Sequence, residues 1–325
     1  MKEGCRSRGP GARTALITGG AGFIGAHLSR ALLNQGYEVR IIDNESTGQR
    51  QNVPPGARYF RGDVRNLSDL AAAFQGGVEV VFHLAAQVSN IKSFENPRED
   101  FTTNVLGTLN VLEMCERHGV PRLLYASSMA VYGEAGELPV GETSPCVPTS
   151  YYGISKHCAE SYLLAASQNP LSRLKVTALR MFNVFGPLQS LTNPYQGVVS
   201  VFISNVISDQ PVTIYGTGHQ TRDFIYIDDI VRAWLLAIDN DAACNRAINL
   251  GSNTRVSVLE LLTAVLEAAG KNGAPWPLRY EPRLFGDQDH IRCDNRLAGS
   301  LLGWQPQVSF LTGLQRTIRW AREGR

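Results

Sequence analysis

A tyrosine and a lysine whose spacing could make the tyrosine a base stand close together in the middle of the chain, Tyr152 and Lys156. If residues 148–156 begin a helix, the four-residue spacing puts the phenol and the ammonium on one face. A free phenol has a pKa of about 10, and a neighbouring cation favours the phenolate, which can take the proton of an alcohol being oxidised. Such a pair also arises by chance on helix surfaces, so other parts of the chain must support it.

A glycine-rich turn near the start of the chain separates a strand pattern from a helix pattern. Residues 14–18 form a short apolar run, Gly19, Gly22 and Gly25 follow, and an apolar-periodic run covers residues 26–33. Glycines let the backbone approach a pyrophosphate at a helix N-terminus, where free N–H groups and the helix dipole favour an anion. The order of strand, glycines and helix therefore predicts a dinucleotide site.

An acidic residue ends the second predicted strand. Asp43 follows residues 37–42 and stands 24 positions after Gly19. A carboxylate there accepts hydrogen bonds from the adenosine ribose and repels a 2′-phosphate, which favours NAD over NADP. The alternative is that Asp43 only starts a loop with Asn44. Further along, Asp63 and Val64 follow a strand, where they can edge the adenine.

Strand and helix patterns alternate up to residue 180. This alternation predicts an α/β fold, a Rossmann-type doubly wound parallel sheet with helices on both faces and ligands at the carboxyl ends of the strands. The predicted strands are residues 14–18, 37–42, 57–61, 78–84, 122–127 and 175–180, and the predicted helices are 26–33, 66–74, 97–118 and 152–166.

The pattern becomes less regular after residue 180 and richer in glycine, proline and aromatic residues. We therefore predict an NAD-binding domain at residues 14–180 and a smaller, mainly substrate-binding α/β region at residues 181–325. A strand at residues 247–250 either returns to the first sheet or stays with the second region. Residues 1–13 are basic and glycine-rich without an apolar core, which predicts a disordered leader rather than a secretory signal.

Composition is that of an ordinary soluble globular protein. Of 325 residues, 43% are apolar and 18% charged, and the formal net charge of +2 comes without long runs of one sign, so no nucleic-acid or membrane surface is expected. The six cysteines are scattered without metal-ligand spacing. They predict free thiols in a reducing, cytoplasmic compartment rather than disulfides or a metal site.

A set of short motifs runs in order over nearly the whole chain and resembles the extended short-chain dehydrogenase/reductases, the family of NAD-dependent nucleotide-sugar epimerases and dehydratases. Each motif alone is weak, but the ordered set is highly specific. The motifs lie at residues 18–25, 43–44, 62–64, 83–86, 104, 127–128, 131–133, 152–156, 180–187 and 221–229.

The resemblance implies a role for each member of the proposed reaction centre. Tyr152 is the catalytic acid/base, Lys156 binds the nicotinamide ribose and lowers the pKa of Tyr152, and Ser128 hydrogen-bonds the reacting oxygen. It also implies that NAD is held by these three sets of residues along the chain: Gly19, Gly22, Phe23, Ile24 and Gly25; Asp43, Asn44, Asp63 and Val64; Leu84, Ala85, Ala86, Asn104, Ser127, Tyr152 and Lys156.

The resemblance further implies a UDP-sugar as substrate. Asn183 is expected near the diphosphate and Arg222 as its ligand, unless Arg222 instead pairs with Asp223 or Asp228. Val198 and Tyr215 are expected to pack on the base.

The segment around residue 287 departs from the family pattern. Relatives place an arginine two residues before a Gly-Asp pair, whereas Arg283 is one residue farther from Gly286-Asp287. Either Arg283 or Arg292 therefore serves the diphosphate, and Asp287 is expected at the substrate. Counting on, Ile291 falls where a bulky Tyr is associated with rejecting N-acetyl sugars, so UDP-GlcNAc/UDP-GalNAc stands beside UDP-Glc/UDP-Gal.

Met129 and Ala130 narrow the reaction class. Related dehydratases and decarboxylases carry acidic residues between the serine and the Val-Tyr-Gly motif, and neither Met nor Ala can transfer a proton. The resemblance then implies C4 epimerisation of a UDP-hexose through a transient 4-keto sugar. The alternatives are a net nucleotide-sugar oxidoreductase and a non-enzymatic dinucleotide-binding regulator.

Two predicted helices bear on the oligomeric state. In relatives, the helices corresponding to residues 97–118 and 150–168 pair with those of a second subunit, which implies a homodimer. Ordinary packing in the core is the alternative explanation for their apolar residues.

Overall fold

A computed structural model describes residues 12–134, 136, 139–193, 195 and 197–323. The predicted leader, residues 1–13, lies outside this part of the chain except for its last two residues. Of these, Arg13 donates hydrogen bonds to Glu79 at 3.1 Å and Asp239 at 2.7 Å.

The described residues form thirteen strands and eleven α-helices. The strands are β1 (Thr14–Thr18), β2 (Glu38–Asp43), β3 (Arg58–Arg61), β4 (Val80–His83), β5 (Arg122–Ser128), β6 (Lys175–Met181), β7 (Val184–Phe185), β8 (Val212–Tyr215), β9 (Thr221–Arg222), β10 (Ile225–Tyr226), β11 (Arg246–Leu250), β12 (Val256–Ser257) and β13 (Leu278–Glu281). The helices are α1 (Phe23–Asn34), α2 (Leu67–Phe74), α3 (Asn90–Glu95), α4 (Pro97–Phe101), α5 (Gly107–Arg117), α6 (Tyr151–Gln168), α7 (Val198–Ile207), α8 (Ile227–Ala237), α9 (Val258–Ala268), α10 (Arg296–Leu302) and α11 (Phe310–Glu323).

The predicted doubly wound parallel sheet is confirmed. Seven strands pair in the order β11-β6-β5-β4-β1-β2-β3, and every neighbouring pair is parallel. The strand order reverses between β1 and β4, and this reversal opens a crevice at the carboxyl ends of the strands.

Alternate residues of the central strands enter two different apolar cores. Leu16 of β1 belongs to the cluster on one face, whereas its neighbours Ala15 and Ile17 belong to the cluster on the other. Side chains of a strand point to opposite faces in turn, so a sheet covered by helices on both sides needs apolar residues at every position. This explains why β1 is fully buried.

The predicted helix at residues 97–118 is interrupted. It consists of α4, a π-helical turn at Thr102–Leu106, and α5. Single π-helical turns inside α-helices often occur next to functional sites. Sequence periodicity cannot reveal this turn because it shifts the apolar stripe by only one residue.

The second half of the chain does not have a separate core. β11 pairs with β6 and completes the central sheet. One apolar cluster contains residues of β1 together with Trp234 and Trp304, and the rings of Phe82 and Trp234 lie 5.9 Å apart. The two sides of the crevice are therefore joined by continuous packing.

Two further properties concern the described residues as a whole. None of their helices is long and apolar enough to cross a membrane. The five cysteines among them, Cys115, Cys146, Cys158, Cys244 and Cys293, are free thiols.

Candidate active site

A cavity of about 1020 Å³ occupies the crevice at the carboxyl ends of the parallel strands. Its walls come from the turns that follow β1, β2, β4 and β5, from the start of α6, and from the second half of the chain. This is the position where open α/β sheets bind their ligands.

The turn after β1 forms one wall and depends on Gly19. Gly19 has a φ of +71°, and a Cβ there would lie 2.7 Å from the backbone nitrogen of Ala85. Only glycine fits both the conformation and the close approach. Gly22 precedes α1 without a capping side chain, so the first N–H groups of α1 stay available to a ligand. The predicted residues Gly19, Gly22, Phe23, Ile24 and Gly25 all line the cavity.

Acidic side chains form the next part of the wall. Asp43 lies at the end of β2 and accepts hydrogen bonds from the backbone N–H groups of Ala21 at 3.0 Å and Glu45 at 2.8 Å. Burial raises the pKa of Asp43, and these two hydrogen bonds partly offset that effect. Asn44 donates to Asp63 at 2.8 Å, and Val64 completes this part of the wall.

Small side chains follow the next two strands. Leu84, Ala85 and Ala86 after β4, and Ser127 at the end of β5, all line the cavity. Asn104 differs, because it is buried behind the wall. Its amide nitrogen donates to Ser155 at 2.9 Å, and so it joins the π-helical turn to α6 instead of facing the cavity.

Tyr152 is brought to Ser128 by the start of α6. Ser150 caps this helix by accepting a hydrogen bond from the backbone N–H of Gly153 at 3.1 Å. A Cβ on Gly153 would lie only 2.5 Å from the carbonyl oxygen of Ala130, so the helix lies directly against the 3-10 turn Met129–Tyr132. Ser128 caps that turn, and both side chains line the cavity.

The pKa values of Tyr152 and Lys156 are shifted in opposite directions and move apart. Burial raises the pKa of Tyr152 to about 12 against a lowering hydrogen bond from Ser128, and the charge of Asp100 raises it further. Burial lowers the pKa of Lys156 to about 7, while Asp100 and Glu160 oppose that effect. The pKa of Tyr152 is therefore raised in this structure and not lowered as expected, because burial outweighs the hydrogen bond from Ser128. Groups perturbed in this way inside a cleft are typical of active sites.

The predicted substrate residues Asn183, Val198, Tyr215, Arg222 and Asp287 line the opposite side of the cavity. Asn183 donates to the backbone oxygen of Asp223 at 3.0 Å. Arg222 pairs with Asp287 at 2.5 Å, and not with Asp223 or Asp228 as the alternative interpretation had it.

Two predicted substrate residues are placed elsewhere. Arg283 lies outside the cavity wall, where it pairs with Glu134 at 2.8 Å and Asp289 at 2.9 Å. The other candidate, Arg292, donates to Asn253. Among the residues that the structure describes, Arg222 and Lys156 are therefore the only cationic side chains in the wall.

Ile291 is also absent from the wall. It is completely buried in a small apolar cluster with Val131, Tyr132, Phe182 and Cys293. Counting along the chain from Gly286 did not give the direction of this side chain correctly. Cys293, two residues further on, pairs with Val140 as in a β-bridge, and the side chain of Ile291 points into the protein interior.

Several residues of the site were not predicted from the sequence. Asp100, in α4, places a buried carboxylate near Tyr152 and Lys156. Its position four residues before Asn104 on a helical pattern was the signal available in the sequence. Residues 188–192 and Trp320 of α11 also line the cavity. Nothing in the apolar pattern of α11 distinguishes Trp320 from a core residue.

Comparison with known proteins agrees with this geometry. The sequence model of the NAD dependent epimerase/dehydratase family matches residues 15–251. The chain belongs to the NAD-dependent epimerase/dehydratase family. The resemblance predicted from the ordered motifs is thereby confirmed.

Three solved structures of this family superpose on nearly the whole chain. UDP-glucose 4-epimerase from Thermotoga maritima, with UDP-glucose, is 35% identical, with a TM-score of 0.91 over 96% of this chain and 99% of that one. The Thermus thermophilus UDP-glucose 4-epimerase complex with NAD is 38% identical, with a TM-score of 0.89 over 95% and 99%. UDP-N-acetylglucosamine 4-epimerase from Methanobrevibacter ruminantium, in complex with UDP-N-acetylmuramic acid, is 30% identical, with a TM-score of 0.89 over 97% and 99%.

NAD is the cofactor of this family, and the cavity fits it. The uncapped start of α1 suits the pyrophosphate, and the carboxylate of Asp43 at the end of β2 suits a ribose that carries no 2′-phosphate. Ala85 and Ala86 leave room beside these groups.

The role of Gly19 can be tested against a second glycine with a similar backbone. Gly36 has a φ of +84° but no atom within 4 Å of an added Cβ. We expect Gly19→Ala to abolish NAD binding, measured by isothermal titration calorimetry, because the methyl group collides with the backbone at Ala85. Gly36→Ala should bind NAD as the unchanged protein does and lose only about 1 kcal/mol of stability from backbone strain. Equal NAD affinity of the two variants would contradict the role assigned to the turn.

The burial of Ile291 leads to a different expectation from its predicted role in the sugar pocket. Ile291→Tyr should lower the free energy of unfolding by about 1–3 kcal/mol in urea denaturation, because the core has no space for the ring. Ile291→Val should cost about 0.5–1.5 kcal/mol. If Ile291→Tyr were fully stable and changed the preference between acetylated and non-acetylated sugars, the predicted role of Ile291 in the sugar pocket would be supported instead.

Proposed function

We propose that the protein interconverts the C4 epimers of a UDP-hexose, with NAD, through a transient 4-keto sugar. The observation that carries this proposal is the wall beside Ser128 and Tyr152. Met129 and Ala130 line the cavity next to these residues, and neither can act as the extra acid or base that elimination or decarboxylation needs. Of the reactions considered, this leaves the one that needs proton transfer at only a single sugar hydroxyl.

Tyr152 and Ser128 act on the 4-hydroxyl of the sugar. NAD, held by the turn after β1 and by Asp43, would supply reversible hydride transfer at C4. Tyr152, as phenolate, takes the hydroxyl proton and later gives it back, while Ser128 donates a hydrogen bond to the oxygen. Lys156 is buried one helical turn after Tyr152, and we assign it the role of favouring the phenolate by its positive charge.

The nucleotide is held on the other side of the cavity. Arg222 offers a planar guanidinium that suits a diphosphate, and Asp287 fixes its orientation. Val198 and Tyr215 supply apolar surface for the base. Binding energy from this remote part keeps the 4-keto sugar in place while its ring turns over.

The proposal covers both the UDP-Glc/UDP-Gal pair and the UDP-GlcNAc/UDP-GalNAc pair. Solved relatives include UDP-glucose and UDP-N-acetylglucosamine 4-epimerases. Because Ile291 lies in the core, its size does not distinguish UDP-Glc/UDP-Gal from UDP-GlcNAc/UDP-GalNAc.

The direct test incubates the protein with each of the four UDP-sugars, without added cofactor, and follows the products by NMR. We expect interconversion of at least one pair with no net change in absorbance at about 340 nm, where reduced nicotinamide absorbs. Stoichiometric accumulation of NADH would indicate a net oxidoreductase, and absence of any turnover with NAD bound would favour a regulator.

Tyr152→Phe should remove most of this turnover, by about 10²–10⁴-fold, because the acid/base group is lost while the ring remains. Binding of UDP, measured by calorimetry, should hardly change, because Arg222 and Tyr215 lie on the other side of the cavity. Unaltered turnover would refute the acid/base role.

We further propose that the protein is a homodimer formed through α4, α5 and α6. Large apolar side chains on α4, on the π-helical turn before α5 and on α6 are about half exposed: Phe101, Leu106, Tyr151, Ile154 and Tyr162. A contiguous apolar surface on adjacent helices is typical of a protein interface.

Light scattering coupled to size-exclusion chromatography tests this assembly. We expect the mass of a dimer for the unchanged protein and of a monomer for Ile154→Arg, because the charge would be desolvated in the interface. Leu171→Arg is the matched control, since Leu171 is 92% exposed in the loop between α6 and β6. A monomeric unchanged protein would contradict the proposal.

A further inference from the structure

A buried ion pair lies directly behind the catalytic residues. Glu160 of α6 is 1% exposed, and Arg180 of β6 is 5% exposed. The guanidinium meets both carboxylate oxygens, with Arg180 Nη2 to Glu160 Oε1 at 2.5 Å and Arg180 Nε to Glu160 Oε2 at 3.1 Å. This forked arrangement is the strongest geometry available to such a pair.

The same carboxylate holds the end of β5. The hydroxyl of Ser127 donates to Glu160 Oε2 at 2.5 Å. Ser127 directly precedes Ser128, and these two residues end the strand. The position of Ser128 at the cavity is therefore fixed from inside the protein by Glu160.

Arg180 extends this arrangement to the turn Met129–Tyr132. Its Nη1 donates to the hydroxyl of Tyr132 at 2.8 Å, and that hydroxyl donates to Asn249 Oδ1 at 2.7 Å. The turn that lies against the start of α6 is thus anchored at both ends, by Ser128 and by Tyr132.

Glu160 also stands one helical turn beyond Lys156, as Lys156 stands one turn beyond Tyr152. In the described part of the chain, four titratable groups interact with Lys156, three on other elements and one on its own helix. They are Asp100 of α4, His83 of β4, Glu160 of α6, and Tyr125 of β5, whose ring centre lies 4.3 Å from Lys156 Nζ.

Burial lowers the pKa of Lys156, and the charges of Asp100 and Glu160 raise it. His83 does not, because burial lowers its pKa to about 3 and leaves it neutral. Asp100 is hydrogen-bonded to Gln87 and Asn104, whereas Glu160 is tied to the reaction centre itself through Ser127.

We propose that Glu160, held by Arg180, is a positioning residue for the reaction centre: it fixes the Ser127-Ser128 end of β5 and adds its negative charge to that of Asp100 near Lys156. Buried ion pairs are often replaceable by apolar residues without loss of stability, so stability alone does not account for this pair. Only the consequence for turnover rests on the proposed function.

The effect of the Glu160 charge can be measured, without substrate, as a change in the titration midpoint of Lys156. The chain has five lysines, so [¹³Cε]lysine labelling gives few resonances, and Lys156→Met assigns the one that titrates near neutral pH. Glu160→Gln keeps the shape and removes the charge. A nearby negative charge favours the protonated form, so its removal should move the Lys156 midpoint to lower pH by about one unit.

Asp229→Asn is the matched control. Asp229 is likewise buried and paired with an arginine, Arg232, but it lies on α8, away from the cavity. We expect comparable destabilisation and an unchanged Lys156 midpoint. An unchanged midpoint in Glu160→Gln as well would overturn the proposal and leave the pair as a structural feature only.

If Glu160→Gln does not fold because Arg180 is left unpaired, the double variant Glu160→Gln/Arg180→Met removes both charges. The midpoint should still move to lower pH, because Glu160 is the member of the pair that acts on Lys156. A midpoint equal to that of the unchanged protein would again overturn the proposal.

Turnover provides the second measurement. If the protein is an epimerase, Glu160→Gln should lower kcat about tenfold, the equivalent of one pKa unit, with little change in KM. A pH limb of kcat that belongs to Lys156 should move to lower pH, because the charge of Glu160 raises the pKa of Lys156. Failure of the proposed function would leave the lysine titration unaffected, so the two failures can be told apart.

Discussion

The site depends on one close contact, between the first turn of α6 and the turn Met129–Tyr132. The missing side chain of Gly153 lets the helix approach the carbonyl oxygen of Ala130, and Ser150 and Ser128 cap the two elements from either side. Because β5 ends at Ser128 and α6 begins at Tyr151, this contact joins two segments of the chain that 22 residues separate. Because of this contact, the phenol of Tyr152 and the hydroxyl of Ser128 both lie at the same cavity.

Much of the architecture could be predicted because parallel strands covered on both faces are apolar at every position. β1, β4, β5 and β6 read as apolar runs, and glycines mark the turn after β1. Asp43 could be placed at the cavity for the same reason: the end of a parallel strand always lies at the ligand-binding edge of the sheet.

The substrate side could not be predicted as well, because loops rather than strand periodicity position its residues. Arg283 and Ile291 were assigned by counting along residues 282–291, yet the fold of this segment depends on distant contacts. Phe285 packs on Phe94 of α3, with ring centres 5.1 Å apart, and the side chain of Ile291 enters the core. The spacing of a motif gives the order of residues in a loop but not the direction of their side chains.

The electrostatics of the reaction centre result from burial as much as from pairing. Lys156 is 3% exposed, so water does not stabilise its charge, and the protein supplies carboxylates instead. Asp100 and Glu160 approach from two different helices, and both are almost completely buried. Their own charges are stabilised by Gln87 and Asn104 in one case and by Arg180 and Ser127 in the other.

The continuous packing across residue 180 has a consequence for motion. A cleft between two separately packed domains can open and close by a hinge, but here Phe82 and Trp234 belong to the same core, and β11 is a strand of the central sheet. Large domain closure would have to break this packing. In the proposed reaction, the sugar would therefore turn over without a closure of two domains around it. The rotation would take place about bonds of the ligand itself.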